Sequence, residues 1–495
     1  MRITNKMMTN NMLSNINKNK VNMNNLEQQY STGKKIQRPS DDPIITVRAL
    51  KLRTSLSELS QYYDKNIPDA KSWMDVTESA LTTVNEILKQ INTYCVQGSS
   101  DTLTASDRNS IVSNLDQLKQ QIYQEGNTNY AGRYVFTGYK TDSPLIFTED
   151  MNNLTYKITE NFSGESIQTI NKVRGEYELS DFENPDFSAA PTTNVIHRVQ
   201  LSYDNLSTTE PNSINIYKKN SSGVLVPQAP FEDIDYISVN DDNAYNPASD
   251  RVHYIPETGE LIIGSAVYED LRTADKMDIT YSKTGFASGS LKPEHYFDCV
   301  MTDSSKPEQG EIEYKKEKQA IQYEVNYNQK LTINTEGSDA ISHQMGRHID
   351  YILSAVDDVI KTESKIAEVE KRLADTTLPQ TEIDRYNQLK DQLDTELELK
   401  KDIMQKAFSK GISASNEEQD RVNVAVADLG SRYVRLELTE NRLSTQKVDF
   451  EDLLSKNEDV DMVETVIKYN AAETIYNASL SAVSQVVQKS LLDFL

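Results

Sequence analysis

Cysteine is nearly absent: Cys95 and Cys299 are the two in 495 residues, and they fall in different regions. A fold stapled by a disulfide framework is therefore excluded. Histidine is also scarce, with five residues: His197, His253, His295, His343 and His348. None forms an i, i+4 pair around a Glu, and no Cys-x-x-Cys occurs, so zinc lacks its usual ligand spacing. His343 and His348 stand five apart, a spacing that does not share one helix face. The acidic loop Asp241, Asp242, Asn243 and Asp250 lacks the spacing of a calcium loop and reads as a solvated turn. No Gly-rich phosphate loop precedes a helix, and no Gly-x-Ser-x-Gly is present. These absences point away from an enzyme, with no catalytic, cofactor or metal residue to name. No apolar run approaches the roughly 18 residues of a membrane span, so no membrane insertion is expected. The opening residues are polar and Asn-rich, without the apolar centre of a cleaved signal peptide. Positive charge is outnumbered, 52 Lys and Arg against 76 Asp and Glu. Without a concentrated basic face, nucleic acid is excluded as a partner.

The net charge of −24 is distributed unevenly. Residues 1–148 carry +3, residues 149–335 carry −15 and residues 336–495 carry −12, while the first forty residues alone carry +6. A basic N-terminal arm and an acidic C-terminal stretch are thus available to pair. At this length the chain has room for two to four domains.

The first 145 residues have helical periodicity. Met12, Ile16, Met23, Leu26 and Tyr30 recur with polar Asn19 in the gap. Ile45, Ala49, Leu52, Leu56, Leu59 and Tyr63 follow. Trp73, Val76, Ala80, Val84, Ile87, Ile91 and Tyr94 form a third stripe, and Ile111, Leu115, Leu118 and Ile122 a fourth. Alternating steps of 3 and 4 make the narrow seam of a coiled coil or bundle. Pro68 is expected to break the chain of helices between the second and third stripes.

Near Ala131 the period changes. Gly132 to Gly138 is short, aromatic and β-branched, as a strand or hairpin should be. Residues 149–335 continue in that manner, with candidate strands at Ile214–Tyr217, Tyr236–Val239, Leu261–Ile263 and Met277–Tyr281. The turn Glu257-Thr258-Gly259 separates two of them. Helical spacing returns at Ile349, Ile352, Val356 and Val359. A hairpin over residues 361–409, broken at Leu378-Pro379, is expected next. A further long helix then carries Val426, Leu429, Tyr433 and Leu436. The last stripe is Val463, Ile467, Ala471, Ile475, Ala478, Ala482 and Val486. The chain thus reads as α+β: elongated and multidomain, with paired N- and C-terminal helices in a coiled coil or bundle around a mostly antiparallel β insertion. The expected division is 1–40 with 459–495, then 41–148 with 336–458, then 149–335 as an outer β region.

One local element is readable from backbone chemistry. Gly33 permits φ > 0 and stops a helix, with Lys34 and Lys35 at the negative helix end. Asp42 suits an N-cap and Pro43 the first helical position. The spacing predicts a helix ending near Thr32 and another starting near Pro43.

Ser31-Thr32-Gly33-Lys34-Lys35-Ile36, followed by Arg38-Pro39-Ser40-Asp41-Asp42-Pro43, resembles the joint between helical domains in the flagellin superfamily. The opening Met1-Arg2-Ile3-Thr4 is similar to that superfamily's start. Gly132-Arg133-Tyr134-Val135-Phe136-Thr137-Gly138 with Thr141, and the tail Ser490-Leu491-Leu492-Asp493-Phe494-Leu495, are similar to its hook–filament junction branch. Flagellins typically have Asn-Ser-Ala-Lys-Asp-Asp-Ala at the joint, which this chain does not. The resemblance implies a structural subunit of the bacterial flagellum. It implies export by the flagellar type III system and an extracellular place at the hook–filament junction. The implied partners are further copies of itself in a ring, the first hook-associated protein, flagellin and an export chaperone. It casts Met12, Ile16, Met23, Leu26 and Tyr30 as self-assembly residues. Val463, Ile467, Ala471, Ile475, Ala478, Ala482, Val486, Leu491, Leu492, Phe494 and Leu495 are cast likewise. Gly33, Asp41, Asp42 and Pro43 form the domain joint. Two alternatives remain: flagellin itself, or a flagellar surface protein whose outer domain is an adhesin.

Overall fold

The computed structural model describes residues 5–100, 103–183, 190–241, 243–375 and 378–487. Four long helices open the chain: α1 (Asn5–Thr32), α2 (Pro43–Gln61), α3 (Ile67–Gly98) and α4 (Ala105–Glu125). The hairpin β1 (Asn129–Tyr130) and β2 (Arg133–Tyr134) follows. Next come β3 (Met151–Phe162), β4 (Gln168–Arg174), β5 (Thr192–Gln200), β6 (Ile214–Lys219), β7 (Leu225–Pro227) and β8 (Ile234–Tyr236). After β9 (Val252–Ile255) and β10 (Glu260–Ile263) lies the short helix α5 (Ser265–Leu271). The strands close with β11 (Lys276–Phe286), β12 (Asp298–Asp303), β13 (Glu311–Tyr314), β14 (Gln322–Asn326) and β15 (Gln329–Thr332). The helices α6 (Gly337–Ala340), α7 (His343–Leu373), α8 (Gln380–Glu458) and α9 (Met462–Val487) complete the chain. The class is α+β, with β sheets inserted between helical ends.

The chain forms two units. The first holds residues up to Ala70, Tyr323–Leu331, and those from Val434 on; the second holds Lys71–Gln322 and Thr332–Tyr433.

In the first unit, α1 packs against α9. The expected break at Pro68 does not occur. α2 passes into α3 through one π turn, Tyr62–Asn66, in which Ile67 N–H bonds to Tyr62 O five residues back. A proline ring clashes with the carbonyl four residues earlier in a regular helix; the wider turn relieves that clash and the helix continues. The strands β14 and β15 lean on this stretch. Asn66 Nδ2 donates to Glu324 O at 2.8 Å, and Arg442 Nη2 donates to Gln329 Oε1 at 3.1 Å.

The second unit stacks two sheets and a helical layer. One sheet runs β4-β5-β10-β9-β8, with β8 and β9 parallel; the other is antiparallel, β13-β12-β3-β11-β6-β7. Their facing side chains share one core: Tyr156 and Ile158 from β3, Met277, Ile279 and Tyr281 from β11, Val252 and Tyr254 from β9, and Leu261 and Ile263 from β10. β9 and β10 are buried at every residue. Their far face therefore has cover too, and helices provide it for their sheet. The Arg198 guanidinium on β5 sits 4.3 Å from the Tyr351 ring centroid on α7. Continuous apolar runs such as Leu261-Ile262-Ile263 are what two-sided burial requires. The candidate strand at Tyr236–Val239 meets β8 only at Tyr236; after one further bond, Ile237 N to Tyr254 O at 3.1 Å, the chain turns at Ser238 to Asp241. Asn240 and Asp241 favour that turn over a strand.

The block at 132–138 supplies half the loop and the second strand of a tight hairpin, Asn129–Tyr134, and then bends away. Ala131 and Gly132 take φ of 51° and 79°, a pair of positive values that a two-residue loop needs. It carries Arg133 to 5.0 Å from the ring of the buried Trp73. Tyr134 N donates to Thr141 O at 2.8 Å.

The hairpin expected over 361–409 turns at Leu378-Pro379, but its second arm does not stop near Phe408. α8 runs for 79 residues. Gly411 lies inside it because a Cβ there would meet Ile352 Cδ1 at 2.6 Å and Cys95 Sγ at 3.0 Å. The glycine is a close-packing position and not a stop. The hairpin's own core is Ile366, Val369, Tyr386, Leu389 and Leu393, against which Tyr177 and Leu179 from the chain after β4 pack.

Candidate assembly surface

The pairing of α1 with α9 starts from two heptad faces. On α1, Ile16 is buried, and Met12, Met23 and Leu26 are half-buried. Tyr30 leans out but stacks on Tyr469, centroids 6.5 Å apart and rings 16° from parallel. Asn19, the polar gap in the stripe, donates to Ser479 Oγ at 3.1 Å.

On α9 the face toward α1 runs through Thr465, Tyr469, Ala472, Tyr476, Ser479 and Val483; Thr465 and Ala472 are buried and the others half-buried. The stripe singled out in the sequence lies elsewhere. Val463 is 72% exposed, Ile467 63% and Ile475 55%, and Ala471, Ala478 and Ala482 are exposed beside them. The side chain of Val486, and all of Leu491, Leu492, Phe494 and Leu495, lie outside the described residues. The physical reason for the shift is that apolar and small residues are spread round α9 with no single dominant face. Periodicity then marks several stripes without choosing the one that α1 covers. α1 adds exposed Met7, Leu13 and Val21 on its other sides. A shallow groove of about 660 Å³ runs along α1 past Leu13, Asn17 and Val21.

The joint between α1 and α2 is built almost wholly by backbone and short side chains. Gly33 takes φ 71° with open space around it, so conformation and not crowding demands glycine. Asp41 Oδ2 accepts from Gln37 N at 3.1 Å and Arg38 N at 2.8 Å. Asp42 is the N-cap of α2, accepting from Ile44 N at 2.9 Å and Ile45 N at 3.1 Å, with Pro43 at the first helical position. The chain leaving α8 closes on the same joint. Lys35 N donates to Glu458 O at 2.6 Å and Val460 N to Gly33 O at 3.0 Å, a short antiparallel bridge. Lys34 Nζ lies 2.5 Å from Asp459 Oδ1 and 3.3 Å from Glu458 Oε2, and Arg53 reaches Glu458 at 2.7 Å. The hydrogen bond that Lys34 donates to Asp459 raises the Lys34 pKa, and the same bond lowers that of Asp459. Glu458 and Asp459 carry no mark in the sequence. The only signal was the charge asymmetry of the two ends, which does not name partners.

The histidines have no ligand geometry. Among the described residues no group of three or more His, Cys, Asp or Glu side chains is placed to hold a metal ion. Burial pushes His343 down to about 3 and His348 down to about 4, so both are neutral rings at neutral pH. Among the described residues no helix is long and apolar enough to cross a membrane.

The surface can bury apolar side chains against neighbours, and its joint fixes the direction of the paired helices. The ends that carry it match known proteins. Residues 3–141 match the bacterial flagellin N-terminal helical region, and residues 412–495 the bacterial flagellin C-terminal helical region. The flagellar hook-associated protein 3 of Salmonella typhimurium is 33% identical over 144 residues, 29% of this chain and 45% of that protein. A flagellin of Clostridium tyrobutyricum is 34% identical over 128 residues, 26% of this chain and 34% of that protein. The chain thus spans less than half the length of these relatives. The solved structure of Xanthomonas campestris FlgL aligns at TM-score 0.32 and 11% identity, over 82% of this chain and 99% of that one.

Proposed function

From a chain whose two ends match the bacterial flagellin helical regions, we propose a non-catalytic structural subunit of the flagellum, acting at the hook–filament junction. In this reading copies of the chain form a ring above the first hook-associated protein, and flagellin polymerises onto that ring. The subunit reaches the outside through the flagellar type III route with an export chaperone. Residues 1–40 with 459–495 form the ring, 41–148 with 336–458 form an inner helical part, and 149–335 face outward.

The observation that carries the reading is the exposed apolar stripe Val463, Ile467 and Ile475 beside a pair of helices that bury little of their own surface. Such helices are marginal alone, and neighbours that cover them supply the missing burial. Similarity to hook-associated protein 3 supports the junction over other flagellar positions. Similarity to a flagellin favours the second reading, a filament subunit. Deleting the gene separates them. The junction reading expects intact hooks and flagellin shed into the medium. A strain lacking only filament mass, with this chain labelled along the filament's length, is the flagellin outcome and overturns the junction.

A further inference from the structure

The strand β4 is an edge of the five-stranded sheet, and its free side faces α8 instead of another strand. Lys410 of α8 covers part of that edge, its Nζ donating to Thr169 O at 3.0 Å. Beside this contact lies a cavity of about 450 Å³, within the size range of small-molecule sites. Ile170, Tyr351 and Ile403 make apolar walls, and Ser409 and Ser413 offer hydroxyl groups.

The cavity's charges do not cancel. Lys406 is paired with Asp402 at 2.7 Å, and Arg198, behind Tyr351, is paired with Glu260. Lys410 has a carbonyl partner, but among the described residues no carboxylate lies within ion-pair distance of it. One half-buried positive charge is left over. Burial, and then the charge of Arg198, hold the Lys410 pKa below the usual lysine range. An adjoining cavity of about 600 Å³ shares Lys410 and Ser413, and it carries Glu160, Glu165 and Glu417 beside Arg347 and Arg421.

We propose that this cavity binds a small hydroxylated monocarboxylate of hexuronate size, with its carboxylate on Lys410 Nζ and its body against Ile170, Tyr351 and Ile403. One charge matches the single uncompensated cation. The hydroxyl groups suit a polyol, and the apolar walls suit its C–H faces. The site is separate from the terminal helices and does not rest on the flagellar reading.

Titration calorimetry on the full chain tests it, with glucuronate, glucose and inorganic phosphate as probes. Glucuronate is expected to bind at one site, at least tenfold tighter than glucose or phosphate. Lys410→Gln should weaken glucuronate tenfold or more, while Lys406→Gln, which removes a cation already paired, should change it less than threefold. Melting curves of each variant establish that it folds. No heat from glucuronate at millimolar concentration overturns the proposal. So does equal affinity for phosphate, or unchanged affinity in a folded Lys410→Gln.

Discussion

α3 and α9 are helices of similar length, 32 and 26 residues, with comparable apolar stripes in the sequence. Their fates differ. α3 buries Ile67, Trp73, Met74, Leu81, Val84, Leu88 and Ile91, along with Cys95. α9 buries Thr465 and Ala472 among its described side chains and leaves Val463, Ile467, Ile475 and Leu480 in the open. A stripe of apolar residues is a demand for a partner, and it does not say whether that partner is in the same chain. In the second unit the demand is met by two sheets and neighbouring helices. In the terminal pair most of it is unmet, which is what an assembling subunit requires.

The contrast is tested first at its deepest point. Trp73→Ala should cost about 3–5 kcal/mol in urea unfolding, since the ring is fully enclosed and carries Arg133 over it. Ile16→Ala, at the most covered apolar position of α1, should cost only about 1 kcal/mol. Equal costs would break the comparison.

Acid separates the two units next. The second unit holds all five histidines, and the first holds none. Folded pKa values of about 3 for His343, about 4 for His348 and about 3 for His295 lie below the unfolded value near 6.5. Their stabilising contribution is therefore complete above about pH 6.5 and lost as pH falls toward 4, at up to about 1.4 kcal/mol per pH unit for each ring. Burial raises the pKa of Glu160 and Glu418, which opposes part of this loss. The net expectation is a lower melting temperature for the second unit at pH 5 than at pH 7, and a flatter pH slope in His348→Gln. Melting of the terminal helices should show no histidine-linked change over that window.

Smaller effects lie at the joint. Asp42→Ala should weaken the start of α2 by about 0.5–2 kcal/mol, while Asp42→Asn, which keeps a capping oxygen, should be nearly silent in melting curves. Equal damage from both would give the carboxylate a role beyond capping. Gly33→Ala should cost about 1–2 kcal/mol through its φ of 71° alone, because no neighbour crowds the site. The smallest effect on the isolated chain is expected of Ile467→Ser, within about 0.5 kcal/mol. The same substitution should abolish incorporation at the hook tip and swimming on soft agar.

Much of the fold was legible where chemistry is local. Gly33, Asp42 and Pro43 marked the end of α1 and the start of α2 because φ and capping are properties of single residues. The stripes in α3 and α4 were legible because one face is apolar and the rest is not. Pro68 misled because the π turn that tolerates it has no sequence mark of its own. The hairpin's expected end near residue 409 is not an end: α8 runs on, and Gly411 inside it answers to contact with Ile352 and Cys95 far away in sequence. The face of α9 that meets α1 was illegible for a different reason: it is made of Thr, Tyr, Ala and Ser, weaker hydrophobes than the Val and Ile left outside. Long-range ion pairs such as Lys34 with Asp459 cannot be read from charge totals.

Hydrogen exchange on the isolated full chain tests the central claim most directly. Amides of α1 and α9 should exchange orders of magnitude faster than those of α3 and β10, because local opening there exposes little buried surface. On incorporation at the hook tip the same amides should become protected. Protection of α1 and α9 in the isolated chain equal to that of α3 would contradict the account, since the terminal helices would then be a finished bundle needing no neighbour.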